Sequence, residues 1–242
     1  SGYLYDEPHF LLQQEVSEVG SYFSIIKAIA AGNHKLSAIA AVLEVKSTNL
    51  TKYLKTLMDL DILERRVPVT EENPEKSKRG LYKIKDNYLR FWFAFIYPNM
   101  SFIESGHSGI VMDKIRRGLT TSHIGFVYED ICQERMWELN VNNAWPFQFS
   151  KLGGYWDAKN EIDIAALDPE GKNLILGECK YWKEPVGLNV LHALEAKACD
   201  VAWERDRRKV WYVLFSISGF SDELRNHAAT RDDLLLIDDG ER

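Results

Sequence analysis

The stretch Asn160–Trp182, NEIDIAALDPEGKNLILGECKYW, decides the fold. IDIAAL alternates in the manner of a half-buried strand, Asp168–Asn173 carries the proline, acidic and glycine residues of a turn, and NLILGECKYW runs apolar again. Together they predict a hairpin. Side chains two apart on a strand share a face, so Glu178 and Lys180 project together while Cys179 and Tyr181 point the other way. Pairing the strands brings Asp163 alongside the first pair. Two carboxylates and a lysine at one end of a hairpin are the groups that hold a divalent cation through hard oxygen donors and set an ammonium beside the water it activates. Asp163, Glu178 and Lys180 are therefore the candidate catalytic residues, with Asp163 and Glu178 the candidate ligands for Mg²⁺ or Mn²⁺. The plainer alternative is a strand bearing a surface Glu/Lys pair, which is common and weakly stabilising.

Outward from the hairpin, the second half of the chain reads as a sheet flanked by helices. Ile110–Leu119 and Gly125–Leu139 have helical patterns, Asn140–Pro146 is a loop, and FQFSKLGGYW supplies a first strand and its turn. GLNVLHALEAKAC follows the hairpin as an amphipathic helix with Leu188, Leu191, Leu194 and Ala198 along one side. On that helix Lys197 reads as a solvated lysine or as one that approaches a bound phosphate. VWYVLFSIS is a continuous apolar strand, SDELRNHAATRDD a helix capped by Ser221, and LLLIDD a final strand.

The first hundred residues have a different grammar. LLQQEVSEVGSYFSIIKAIAAG is one long helix or a broken pair stopped by Gly32 and Asn33, AIAAVLEV is a short helix with Ser37 as cap, and LTKYLKTLMDLD is a third capped by Ser47. Short helix, short turn, helix is the helix-turn-helix pattern. Ile62–Val69 and Gly80–Lys85 then read as strands around the polar loop TEENPEKSKR. The fold class expected is a two-domain α+β chain: a winged helix-turn-helix at 1–100, then an α-β-β-β-α-β core at 101–242. Lys46, Thr48, Asn49, Lys52 and Lys55 on the third helix, with Lys78 and Arg79 on the wing, are candidate nucleic-acid contacts; Asn49 is a candidate base reader. Glu71, Glu72 and Glu75 share that wing, and winged helices also serve as docking modules. The aromatic run Asp86–Tyr97 reads as core or interface filling rather than as a base-stacking row.

Composition sets limits. A chain of 242 residues with 45% hydrophobic and 27% charged residues is long enough for two globular cores. Its net charge is -6, with 13 basic and 12 acidic residues in 1–100 against 17 and 24 in 101–242, which argues against indiscriminate coating of nucleic acid. The three cysteines are widely spaced without a C-x-x-C, so neither a disulfide framework nor a cysteine zinc site is indicated, and a reducing cytoplasm is the expected home. The six histidines do not cluster at ligand spacing. No apolar run reaches the ~20 residues of a membrane helix. The chain opens Ser1-Gly2 without methionine, as a piece excised from a longer protein would.

An aspartate, a gap of about fifteen residues and then Glu-x-Lys resembles the motif of the PD-(D/E)xK nuclease superfamily, whose fold is restriction-endonuclease-like; Ile162 stands where that motif has proline. The wider chain is similar to the C-terminal portion of the archaeal-type AAA ATPases. The similarity is carried by LYDEPHFLL, AIAAG, YLKTLMDLDILERRVPV, GLYKIKDNYLRFWFAFI with YPNMSFIESG, GFVYEDIC, and EIDIAAL followed by GECKYW. The resemblance implies a winged helix, a nuclease-like domain and a preceding P-loop ATPase domain as partner, with ATP bound only by that domain. No G-x-x-x-x-G-K-[ST] occurs here, so no ATP hydrolysis is expected of these residues. It also implies a metal-pocket carboxylate on the first core helix, where Glu129 stands in GFVYE; Glu161 is a second supporting candidate.

Three functions remain open at this point. One is a DNA-processing or DNA-binding region of an ATPase with a metal-dependent phosphodiester hydrolysis site. Another is an inactive nuclease-like module that docks the ATPase to a partner. Binding of DNA without cleavage is a third. Homo-oligomerisation is compatible with each, and no membrane partner is expected.

Overall fold

A computed structural model describes residues 19–240, together with Pro8; the opening segment LYDEPHFLL lies almost wholly outside them. The described chain divides into two compact units. One runs to Arg66 and resumes at Lys78–Leu119; the other holds Val67–Ser77 and continues from Thr120.

In the first unit, helices α1 (Val19–Ala30), α2 (Leu36–Val42) and α3 (Ser47–Asp59) precede a two-stranded antiparallel hairpin, β1 (Leu63–Arg66) and β2 (Leu81–Ile84). α1 buries Tyr22, Phe23, Ile25, Ile26 and Ile29, the spacing of one helical face, and Gly32 ends the run with a φ of 94° that favours glycine. α3 buries Leu50, Leu54 and Leu57 and leaves Thr48, Asn49, Lys52 and Lys55 exposed. Capping departs from the serine expectation: Lys35 and Lys46 occupy the N-cap positions, neither helix has a side-chain cap bond, and Ser37 and Ser47 lie inside. Both strands are also shorter than their apolar runs; β1 stops at Arg66, where Val67–Ser77 clusters with the second unit.

The aromatic run becomes core. Asp86 accepts a hydrogen bond from the Leu89 amide at 2.7 Å and opens α4 (Asn87–Phe91), which passes into a π-helical turn over Trp92–Ile96. Trp92 and Phe93 are 1% exposed and meet Phe23 ring to ring, so they are committed to packing and not to stacking on bases. Helices α5 (Met100–Glu104) and α6 (Ser108–Leu119) complete this unit; Lys114 donates to the Asn99 side chain at 2.6 Å.

The second unit is a five-stranded mixed sheet between helices. α7 (Gly125–Val141) leads into β3 (Lys151–Trp156), β4 (Glu161–Leu167), β5 (Asn173–Lys180), α8 (Leu188–Asp200), β6 (Lys209–Ser216), α9 (Asp222–Ala228) and β7 (Leu234–Asp238). Strand order follows chain order; β3, β4 and β5 pair antiparallel, while β5, β6 and β7 run parallel. Alternation splits the core in two. Ile164, Ala166, Ile175, Val213 and Phe215 pack with Tyr128, Cys132 and Met136 of α7. Ala165, Leu167, Leu174, Leu176 and Leu214 pack with Leu191, Leu194 and Ala198 of α8. Gly177 is required where β5 meets β6: a Cβ there would lie 2.6 Å from the Val213 side chain. Ser221 caps α9 as its sequence indicates. Among the described residues no helix is long and apolar enough to cross a membrane.

Candidate metal centre

The hairpin predicted from Asn160–Trp182 forms, with Ile164 opposite Gly177 and Leu167 opposite Leu174. Its turn is held by Asp168, whose carboxylate accepts from the Lys172 amide at 2.9 Å and the Asn173 side chain at 2.7 Å. At the other end of the hairpin lie the three residues singled out by their chemistry. Glu178 and Lys180 share the α8 face of β5 with Leu174 and Leu176.

Alternation from Leu167 and Ala165 puts Asp163 on this same face, and the departure from it falls on Ile162. Gly153 faces Ala165 and Tyr155 faces Ile162, so Gly154 alone opposes both Asp163 and Ile164. That extra residue is a β-bulge, a device that re-aims a side chain beside a site. Its effect is local: it brings Ile162 into the same cluster as Ala165, next to Asp163. The Asp163 carboxylate accepts from the Cys179 amide at 2.9 Å and lies 3.5 Å from the Lys180 ammonium. Gln133 of α7 donates to the Asp163 carbonyl at 3.4 Å and braces the bulge from the opposite face.

Four charges meet there. Lys180 donates to one oxygen of Glu178 at 2.5 Å, and Lys197 of α8 donates to the other at 2.6 Å. Lys197 also donates to the Glu161 carbonyl at 2.7 Å, so it is an ion-pair partner and not the solvated lysine its helix position suggests. Glu178 is 7% exposed, Asp163 16%, Lys180 17% and Lys197 29%. Of the supporting acids, Glu161 contributes its carbonyl while the residue is exposed, and Glu129 stands on α7, where its charge acts on Cys179.

Burial dominates the electrostatics and the neighbours decide its outcome. Desolvation, reinforced by the nearby Glu178 charge, pushes the Asp163 carboxyl up to about 6 despite Lys180 and the Cys179 amide. Burial acts on Glu178 in the same sense, yet Lys180 and Lys197 together outweigh it and hold that carboxyl below its ordinary value. For Lys180, burial opposes the charged form but Asp163 and Glu178 prevail, so its ammonium is held above the ordinary lysine range. The result is a firmly protonated lysine, a firmly ionised glutamate and an aspartate poised between states.

These donors suit a divalent cation in kind. Mg²⁺ is commonly held through one or two carboxylates with its other positions left to water and substrate phosphate oxygens, and Asp163 and Glu178 are two such carboxylates. Among the described residues no group of three or more His, Cys, Asp and Glu side chains is gathered as a ligand set.

A family described as archaea bacterial proteins of unknown function matches residues 92–198, a stretch that includes Asp163, Glu178, Lys180 and Lys197. An uncharacterised protein of Methanocaldococcus jannaschii is 41% identical over 178 residues, covering 74% of this chain. This chain spans 39% of the length of that relative. The crystal structure of a repair endonuclease from Pyrococcus abyssi aligns with 43% of this chain and 44% of its own at 13% identity and a TM-score of 0.28.

The bulge, the Gln133 brace and the pairing of Lys197 with Glu178 were not foreseen from the sequence. Of these, only Lys197 carried a signal: a lysine on the helix after β5, one residue before the buried Ala198.

Proposed function

We propose that the second unit is a metal-dependent phosphodiester hydrolase acting on DNA, with the restriction-endonuclease-like core that helix, three strands, helix, strand implies. The observation that carries this reading is the meeting of Asp163 and Glu178 at one end of the hairpin with Lys180 against both. A Mg²⁺ or Mn²⁺ ion held by the two carboxylates would supply the positive charge that phosphodiester cleavage needs at the phosphoryl oxygens. Lys180 stays protonated, so it orients the attacking water and a phosphate oxygen by donating hydrogen bonds and does not act as a base. Asp163 gives up its proton near neutrality and so becomes a full anion under the conditions in which it must bind.

The first unit, read as a winged helix, supplies a DNA-contacting surface through Lys46, Thr48, Asn49, Lys52 and Lys55, all exposed, together with exposed Lys78 and Arg79. These residue types contact phosphates, with Asn49 placed at the start of α3 to read a base edge. In the full-length protein the two units follow a P-loop ATPase domain, which is the reading supported by the sequence resemblance.

Purified protein should nick plasmid DNA with Mn²⁺ and fail to do so with EDTA, and Asp163→Ala should abolish nicking. Equal nicking by the variant would assign the activity elsewhere. A second reading, an inactive docking module, is favoured by the fact that both Glu178 oxygens already have lysine partners. It predicts no nicking and no Mn²⁺ binding by the intact chain.

A further inference from the structure

Glu178 has two carboxylate oxygens and both are taken, one by Lys180 at 2.5 Å and one by Lys197 at 2.6 Å. Each oxygen keeps a second lone pair, but a divalent cation bound beside an ammonium at that distance is repelled by it, so loading the site favours the departure of one lysine. The two lysines are not equivalent as the one to leave. Lys180 lies on the same strand as Glu178, two residues on, is 17% exposed and is held a second time by Asp163. Lys197 comes from a different element, α8, and is 29% exposed. Its second partner is the neutral Glu161 carbonyl, beside the outward-facing end of β4, and its four-carbon stem can carry the ammonium outward without moving the helix.

We propose that Lys197 is a gate on the metal centre: with no cation present its ammonium occupies one oxygen of Glu178, and cation binding expels it. The inference rests on the reading of Asp163 and Glu178 as metal ligands. It explains a feature that reading alone leaves without a purpose, namely two lysines on one glutamate where a single ammonium suffices to position water. While Lys197 is seated, it offsets the charge of Glu178, the carboxylate that faces Asp163. Once expelled, it lies at the mouth of the site as a free cation for the phosphate backbone of an incoming strand. Metal loading and backbone attraction are thereby coupled through one side chain.

The test is Mn²⁺ binding to the intact chain, by calorimetry and by the loss of free Mn²⁺ signal in electron paramagnetic resonance, both independent of cleavage. Lys197→Met removes the competing ammonium while keeping the stem's packing, and should tighten Mn²⁺ binding about tenfold, the scale of one charge-assisted hydrogen bond. Lys197→Arg keeps the charge and should leave the affinity within about twofold of the parent. Lys172→Met removes the same unit of charge at the distant hairpin turn, where Lys172 pairs with Glu170, and should also leave it unchanged. Equal or weaker binding by Lys197→Met than by the parent overturns the gate while leaving the metal reading intact. If neither the parent nor any variant binds Mn²⁺, the metal reading fails and the gate fails with it. Melting curves in EDTA establish that each variant is folded, and the arginine variant carries the comparison should the methionine variant unfold: tenfold tightening there would likewise overturn the gate.

Discussion

Two aspartates stand at opposite ends of one hairpin and are treated oppositely by the fold. Asp168, in the turn, is 7% exposed and accepts a main-chain and a side-chain hydrogen bond, from Lys172 and Asn173. Asp163, on the bulge, is similarly withdrawn from water but accepts a single amide, from Cys179, and faces a second carboxylate, so its proton is held up to about 6. The first acid is satisfied by its own turn and builds structure. The second is left with unfinished business that a cation or substrate would complete. Burial alone does not separate a structural acid from a functional one; the balance of donors and like charges around it does.

Substitutions at the two ends should therefore separate activity from stability. The largest effect expected is on cleavage: Asp163→Ala should reduce Mn²⁺-dependent nicking about a thousandfold, the scale on which removal of a single group that stabilises developing charge is felt. Retained nicking would remove Asp163 from the chemistry. Asp168→Ala should do the reverse, lowering the stability of the second unit by about 2 to 3 kcal/mol through the removal of two buried hydrogen bonds, seen as a lower urea midpoint at unchanged slope. Cleavage by the molecules that remain folded should persist.

A smaller effect sharpens the same contrast through pH. In the unfolded chain Asp163 releases its proton near its ordinary value of 3.8, in the folded chain near 6, so between these values the folded state holds the extra proton. Stability contributed by this group is present below that window and is lost as the pH rises through it. In EDTA, Asp163→Asn should be more stable than the parent by roughly 1 to 2 kcal/mol above pH 6, and the two should converge below about pH 4. A constant difference across that range would show that the aspartate is not the group titrating. The smallest effect belongs to the first unit: Lys52→Ala with Lys55→Ala should weaken DNA binding a fewfold and lower the slope of log affinity against log salt by about 2, one for each phosphate no longer neutralised. An unchanged slope would take α3 off the DNA.

Much of this architecture was legible in the residues because it depends on period and punctuation. IDIAAL, DPEGKN and NLILGECK gave strand, turn and strand, since alternation and a proline–glycine turn are local properties. The unbroken apolar run of VWYVLFS gave a fully buried strand for the same reason. Asp163 beside Glu178 and Lys180 followed from antiparallel pairing, while the bulge next to it was hidden. A bulge exists only between two strands, and nothing in β4 alone marks the place where Gly154 yields two positions to Asp163 and Ile164. The partner of Lys197 was illegible for a related reason: a helix pattern specifies which side is apolar, while what a boundary lysine meets depends on how α8 lies on the sheet. The serine caps misled because capping preference is a weak bias, and the turns before α2 and α3 place lysine at the cap instead. In the first unit the aromatic run read as core or interface filling, and the burial of Trp92, Phe93 and Phe95 bears this out.

The central claim is that Asp163 and Glu178 together seat a divalent cation. Anomalous scattering from a crystal soaked in Mn²⁺ tests it most directly. A peak between the two carboxylates, within about 2.5 Å of an oxygen of each, with the Lys197 ammonium moved off Glu178, is the result expected. Both lysine pairs intact around Glu178 with Mn²⁺ bound only elsewhere, or not at all, would contradict it.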